Sequence, residues 1–139
     1  MPIVFTKKRR NRQRRNVKGE TALVNACMEY LTLKGYLPLR VNSGLLIVEH
    51  SSGKQRAVRL APAGTSDIIA CSPDGRFIAV ECKMAGRDLT PNQKEFLEEI
   101  KKRGGEALVV NSLEDLDSYF RKKEKFCVNY PRLKSEACE

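Results

Sequence analysis

Apolar positions recur at two different periods along the chain, and the switches between them mark out the elements. From Glu20 to Lys34, Leu23, Val24, Cys27 and Leu31 return at helical spacing and Gly35 follows as a stop, which predicts a helix. Leu45 to Glu49 and Gln55 to Leu60 are β-rich runs on either side of Ser51-Ser52-Gly53 and predict a hairpin. Ser66 to Cys71 reads as a strand, Ser72-Pro73-Asp74-Gly75 as a turn, and Arg76 to Lys83 as a second strand. Thr90-Pro91-Asn92-Gln93 then opens a helix, with Thr90 as N-cap, Pro91 in the first helical position and Gln93 completing a capping box. Phe96, Leu97 and Ile100 mark its buried face, and Gly104-Gly105 end it. Ala107 to Asn111 supplies a strand able to lie parallel to the one before the helix, making a right-handed βαβ unit. A last helix begins at Ser112, with Glu114 and Asp115 in its first turn and Leu113, Leu116, Tyr119 and Phe120 as its apolar side. From Cys127 onward the tail reads as irregular, and no internal repeat is present.

The turn at residues 72–75 fixes a register. Pro at the second turn position and Gly at the fourth suit a type I turn closed by a glycine bulge, which pairs Ser72 with Arg76. Carrying that register back along the antiparallel ladder puts Asp67 opposite Glu81. Side chains alternate along a strand, so Phe77, Ala79, Glu81 and Lys83 share one face while Ile78, Val80 and Cys82 point the other way. Lys83 therefore joins the two acids.

A chain of 139 residues allows one compact domain with short tails. No apolar run approaches the ~18 residues of a membrane span, and the N-terminus lacks the pattern of a secretory signal, so a soluble, cytoplasmic protein is expected. Charge is unevenly spread. Lys7, Lys8, Arg9, Arg10, Arg12, Arg14, Arg15 and Lys18 lie in the first eighteen positions without an acid among them, and removing those eight from the net +9 leaves +1. A basic arm ahead of a balanced domain favours a polyanion, because neutralising phosphates releases condensed counterions. A solvated tail or an import signal accounts for the same charge run without nucleic acid. Cys27, Cys71, Cys82, Cys127 and Cys138 form no C-x-x-C pair and His50 is the lone histidine, which argues against zinc or iron–sulfur ligation and for reduced thiols.

Two carboxylates directly opposite on one sheet face repel unless a cation lies between them. Cross-strand Cβ atoms are about 5 Å apart, close enough for both acids to reach one ion. A hard divalent ion such as Mg²⁺ takes oxygen ligands and keeps waters, so Asp67, Glu81 and the backbone carbonyl of Cys82 form a suitable set. The Cys82 thiol points away. Lys83 is placed to orient a water or to offset charge on a phosphate under attack. An ordinary surface pair of Lys83 with either acid is the alternative, and it would contribute only about 0 to 1 kcal/mol. Glu20 falls on the core-facing stripe of the first helix, where a carboxylate calls for a cationic partner. An acid in the first turn of a helix is also favourable in its own right, and position alone does not separate the two readings.

Gly64-Thr65-Ser66-Asp67, then Glu81-Cys82-Lys83, then Gln93 resemble the PD-(D/E)XK nuclease superfamily. Arg40-Val41-Asn42-Ser43-Gly44 and Leu89-Thr90-Pro91-Asn92-Gln93 are similar to the virus-type replication-repair nuclease (VRR-NUC) family, of the kind found as short phage or bacterial proteins. The resemblance implies an α/β fold with a restriction-endonuclease-like core, a central mixed β-sheet flanked by helices. It implies Mg²⁺- or Mn²⁺-dependent phosphodiester hydrolysis, with Asp67 and Glu81 as metal ligands, Lys83 as the catalytic lysine, Glu20 as the first-helix acid and Gln93 as a polar residue near the site. Asn42 and Ser43, following Arg40, would lie near the substrate entrance. Ser66 stands where the superfamily name has proline.

The expected organisation is a basic arm over 1–19, a nuclease core over 20–112 and a C-terminal helix and tail over 113–139. Some relatives act as dimers on branched DNA such as Holliday junctions, and symmetric resolution of a junction needs two sites related by a two-fold axis. A homodimeric, structure-selective endonuclease is the expected function, with Arg9, Arg10, Arg12, Arg14 and Arg15 as further DNA contacts. A non-catalytic nucleic-acid-binding protein on a nuclease scaffold is the alternative from another class, since a fold and a motif do not by themselves establish activity. Arg87, Lys94, Lys101, Lys102 and Arg103 include candidates for phosphate contact, although Glu95, Glu98 and Glu99 beside them also fit a solvated charged face.

Overall fold

A computed structural model describes the backbone over residues 7–129 and the side chains over 19–125. The elements run α1 (Lys7–Leu33), β1 (Leu37–Arg40), β2 (Leu45–Glu49), β3 (Gln55–Arg59), β4 (Ile68–Cys71), β5 (Phe77–Cys82), α2 (Pro91–Lys102), β6 (Glu106–Val110) and α3 (Leu113–Asn129). Four strands form one sheet in the order β1-β4-β5-β6, and β2 and β3 form a separate two-stranded ribbon. β4 runs antiparallel to both its neighbours, β1 and β5, whereas β6 runs parallel to β5 and is reached through α2. The mixed sheet and the βαβ unit are those predicted.

Both faces of the sheet are covered. Ile78, Val80 and Cys82 of β5 join Val24, Cys27 and Leu31 of α1 and Leu116 and Phe120 of α3 in the main core. The alternate residues Ala79 and Glu81 are also buried, on the face that α2 covers. A central strand covered by helices on both faces buries both alternating sets of its residues, which is why β5 reads as nearly continuous apolar sequence interrupted by one acid.

Three elements differ from expectation. α1 does not begin at Glu20 but continues upstream to Lys7, through the basic stretch. That stretch is rich in Arg and Lys, which are good helix formers, and contains no proline to stop the helix. Glu20 is therefore interior to a helix, and the first-turn account of its carboxylate does not apply. β1 went unpredicted because it is four residues long with Pro38 inside it. Proline is tolerated there because β1 is an edge strand, paired on one side only. At the other end α3 runs on to Asn129, past the expected onset of irregular chain at Cys127. Residues 130–139 lie outside the described part.

Candidate active site

The site is built where β4 begins and β5 ends. The ladder pairs Cys71 with Phe77 and Ile68 with Val80, and one step further along the same register places Asp67 opposite Glu81. The turn closes as its residues require: Ser72 N–H donates to Arg76 O at 2.9 Å, and Gly75 takes φ +84°, a left-handed conformation that glycine adopts without a Cβ penalty. Asp67 is anchored on both sides. Its carbonyl accepts from Val41 N–H at 2.8 Å, and its Oδ2 accepts from Cys82 N–H at 2.9 Å.

That second bond also orients Cys82. In an extended strand the N–H and C=O of one residue point to the same edge, and successive residues alternate. Lys83 N–H donates to Val110 O on the β6 side, so the Cys82 N–H and carbonyl both face the Asp67 side. The Cys82 thiol packs into the core against Cys27, and that contact together with burial pushes its pKa upward.

Glu81 is 1% exposed. Its Oε1 accepts from Gln93 Nε2 at 2.6 Å and lies 3.2 Å from Lys83 Nζ, whereas its Oε2 has no hydrogen-bond partner. Burial, followed by the neighbouring charge of Asp67, raises its pKa to about 7 against the opposing pull of Lys83. A buried carboxylate oxygen left without a donor is costly, and most such atoms in folded proteins are paired. Among the described residues no group of three or more His, Cys, Asp or Glu side chains is placed to hold a metal. A two-carboxylate site completed by a backbone carbonyl and water is a different donor set. The orphaned Oε2, on a carboxylate that feels the charge of Asp67, fits a hard divalent cation.

Gln93 serves two partners with the two ends of one amide. Its Oε1 accepts from Thr90 N–H at 2.9 Å, completing the capping box, while its Nε2 donates to Glu81. The capping and site readings of this residue are therefore compatible. The N-terminus of α2 is held in turn by Gly64, which has φ +91° and lies so close to α2 that a Cβ would sit 2.4 Å from the Asn92 carbonyl oxygen. Sequence reading passed over this role for Gly64, since a glycine in a loop signals a turn but not what approaches it.

The VRR-NUC domain model matches the chain over residues 20–114, about two thirds of its length. The chain belongs to the VRR-NUC family. A solved structure described as a VRR_NUC domain shares the fold at 21% identity and a TM-score of 0.53, over 74% of this chain and 95% of that one. No curated protein matches it in sequence. The nuclease-type fold is thereby shown.

Within the VRR-NUC core the remaining candidate residues are dispersed. Glu20 lies beside the loop that leaves β5, with its Oε2 3.9 Å from Arg87 Nη1 and the adjacent Gly19 close to Met84. No hydrogen bond or ion pair joins Glu20 to Asp67, Glu81 or Lys83 among the described residues. The cation that its stripe position called for is Arg87. Arg40 donates to Asn25 Oδ1 at 3.3 Å, and Asn42 and Ser43 are exposed just beyond Val41, the residue hydrogen-bonded to Asp67. The side chains of Arg9, Arg10, Arg12, Arg14 and Arg15 lie outside the described residues. Ser66 is fully buried and its hydroxyl has no partner.

Proposed function

We propose that the protein is a Mg²⁺- or Mn²⁺-dependent endodeoxyribonuclease that hydrolyses phosphodiester bonds in branched DNA as a homodimer. The observation that carries this reading is the buried, half-satisfied carboxylate of Glu81, beside Asp67 and within reach of Lys83. Asp67, Glu81 and the Cys82 carbonyl would hold the cation. A divalent ion there supplies Lewis-acid stabilisation of the phosphate and a more acidic water.

The chain's own groups do the rest. Asp67 is held in place by the Cys82 amide, and Gln93 fixes the rotamer of Glu81, so neither ligand has to be ordered when the metal or DNA arrives. Lys83, with its side chain 12% exposed, has its ammonium 3.2 Å from Glu81 Oε1, from where it would offset charge on the phosphate oxygens during attack. Arg87, ion-paired with Glu20, and the exposed Arg40, Asn42 and Ser43 would contact the DNA backbone. The arginines from Arg9 to Arg15 would add affinity without sequence selectivity. Membership of the VRR-NUC family supports a nuclease, and no helix among the described residues is long and apolar enough to cross a membrane. Two-fold symmetry is proposed because a single site cuts one strand, while paired nicks across a junction need two.

The test is cleavage of a labelled four-way junction beside linear duplex and single-stranded DNA, with Mg²⁺ or Mn²⁺, for wild type, Asp67→Ala and Lys83→Ala. Paired symmetric nicks lost in both variants are expected. Junction binding without cleavage under either metal would leave a binding protein on a nuclease scaffold. Cleavage of linear DNA alone would keep the nuclease and remove the junction selectivity.

A further inference from the structure

The β2–β3 ribbon is the part of the molecule that the core does not explain. It packs substantially against no other element among the described residues, yet β2 reads Leu-Leu-Ile-Val-Glu. Leu45 and Ile47 are each 59% exposed, Leu46 is 50% exposed and Val48 43%. A lone two-stranded hairpin is marginal in water, and a long apolar edge strand is a template for pairing with another strand.

Hydrogen bonding identifies the open edge of β2. His50 N–H donates to Lys54 O and Leu60 N–H donates to Gly44 O, and the register between them is unbroken. Even-numbered residues of β2 therefore bond to β3, and the N–H and C=O groups of Leu45, Ile47 and Glu49 point to the other, unpaired side. We propose that this edge pairs antiparallel with the same edge of a second copy of the chain, fusing two ribbons into one four-stranded sheet across a two-fold axis.

Three features favour a second copy over DNA. The open edge carries no cation and ends in Glu49, whereas Lys54 of the turn and Arg56 and Arg59 of β3 lie on the far side of the ribbon. An antiparallel edge is self-complementary under a two-fold operator, with outward groups meeting outward groups. With the axis at Ile47, Leu45 of one copy falls next to Glu49 of the other. Leu45 is itself paired with Arg59, so Arg59 and the partner's Glu49 lie in one row, about 10 Å apart at the backbone and within reach of the arginine side chain. The ribbon joins β1 directly to the loop before Asp67, so the same axis would relate the two active sites. This deepens the homodimer proposed above and rests on that reading.

Ile47→Pro is the discriminating variant, because it removes an outward N–H while leaving every bond between β2 and β3 in place. Sedimentation of the full chain without DNA, at micromolar concentration, should give twice 15.7 kDa for wild type and for Ile47→Val, and 15.7 kDa for Ile47→Pro with its circular dichroism unchanged. A monomeric wild type, or a dimeric Ile47→Pro, overturns the inference. An unchanged mass with weakened DNA binding in Ile47→Pro overturns it in favour of a DNA-facing edge. Should Ile47→Pro unfold, amide exchange of the wild type decides: slowing of about a hundredfold or more at Leu45, Ile47 and Glu49 is expected, and free exchange at all three overturns the interface. The nuclease reading fails separately. A monomer that still cuts removes only this interface, and a dimer that depends on Ile47 but never cuts removes only the catalytic assignment.

Discussion

Glu81→Gln tests the electrostatics of the site without disturbing its shape. The carboxyl of Glu81 is raised from 4.5 to about 7 by burial and by Asp67. A group whose folded pKa lies above its unfolded value contributes stability that is fully present below the unfolded value and lost as pH rises through the folded one. For Glu81 that window runs from 4.5 to about 7. Across it the metal-free protein should lose about 3 kcal/mol from this residue alone, at about 1.4 kcal/mol per unit. Glutamine mimics the neutral form and keeps an acceptor for Gln93, so the variant should match wild type near pH 4 and exceed it by up to about 3 kcal/mol at pH 8, roughly 10 °C in Tm. Melting in chelator, across pH, reads this directly. Adding Mg²⁺ at about a hundredfold above its Kd should return about 3 kcal/mol to wild type and little to the variant, while DNA cleavage by the variant falls by about two orders of magnitude or more. A variant less stable than wild type at pH 8 in chelator would show that ionised Glu81 is already satisfied within the protein, and the case for a cation at its Oε2 would collapse.

Three further outcomes follow from the same geometry. Gln93→Glu keeps the capping acceptor for Thr90 but loses the donor to Glu81, so cleavage should fall at least tenfold while helix content by circular dichroism is retained; full activity would make Gln93 a cap alone. Ser66→Ala removes a buried hydroxyl without a partner and should raise stability by about 1 kcal/mol in urea unfolding, whereas a loss of that size would indicate a satisfied hydroxyl. Gly64→Ala forces a Cβ onto Asn92 at a left-handed position and should cost about 2 kcal/mol or more, with a fall in kcat from displacement of Gln93; a neutral melt would refute the close approach.

Periodicity and turn chemistry carried much of the architecture because they are local. The Ser72-to-Gly75 turn set the β4–β5 register, and a strand's strict alternation then put Asp67, Glu81 and Lys83 together before any tertiary contact was known. The capping box at Thr90 and Gln93 was equally legible, since it needs only residues three apart. Other features depended on what approaches from elsewhere in the chain. The start of α1 went unread because a uniformly polar helix has no apolar stripe to announce it, and β1 because four residues around a proline become a strand only when β4 offers an edge. Contacts between distant segments leave no periodic trace in either partner. Arg87 as the cation facing Glu20, Gly64 seated on Asn92, the second end of the Gln93 amide on Glu81 and the unpartnered Oε2 were therefore decided by the packing of α1 and α2 around the sheet, while the pairing of acid with acid was already written in the strand pattern.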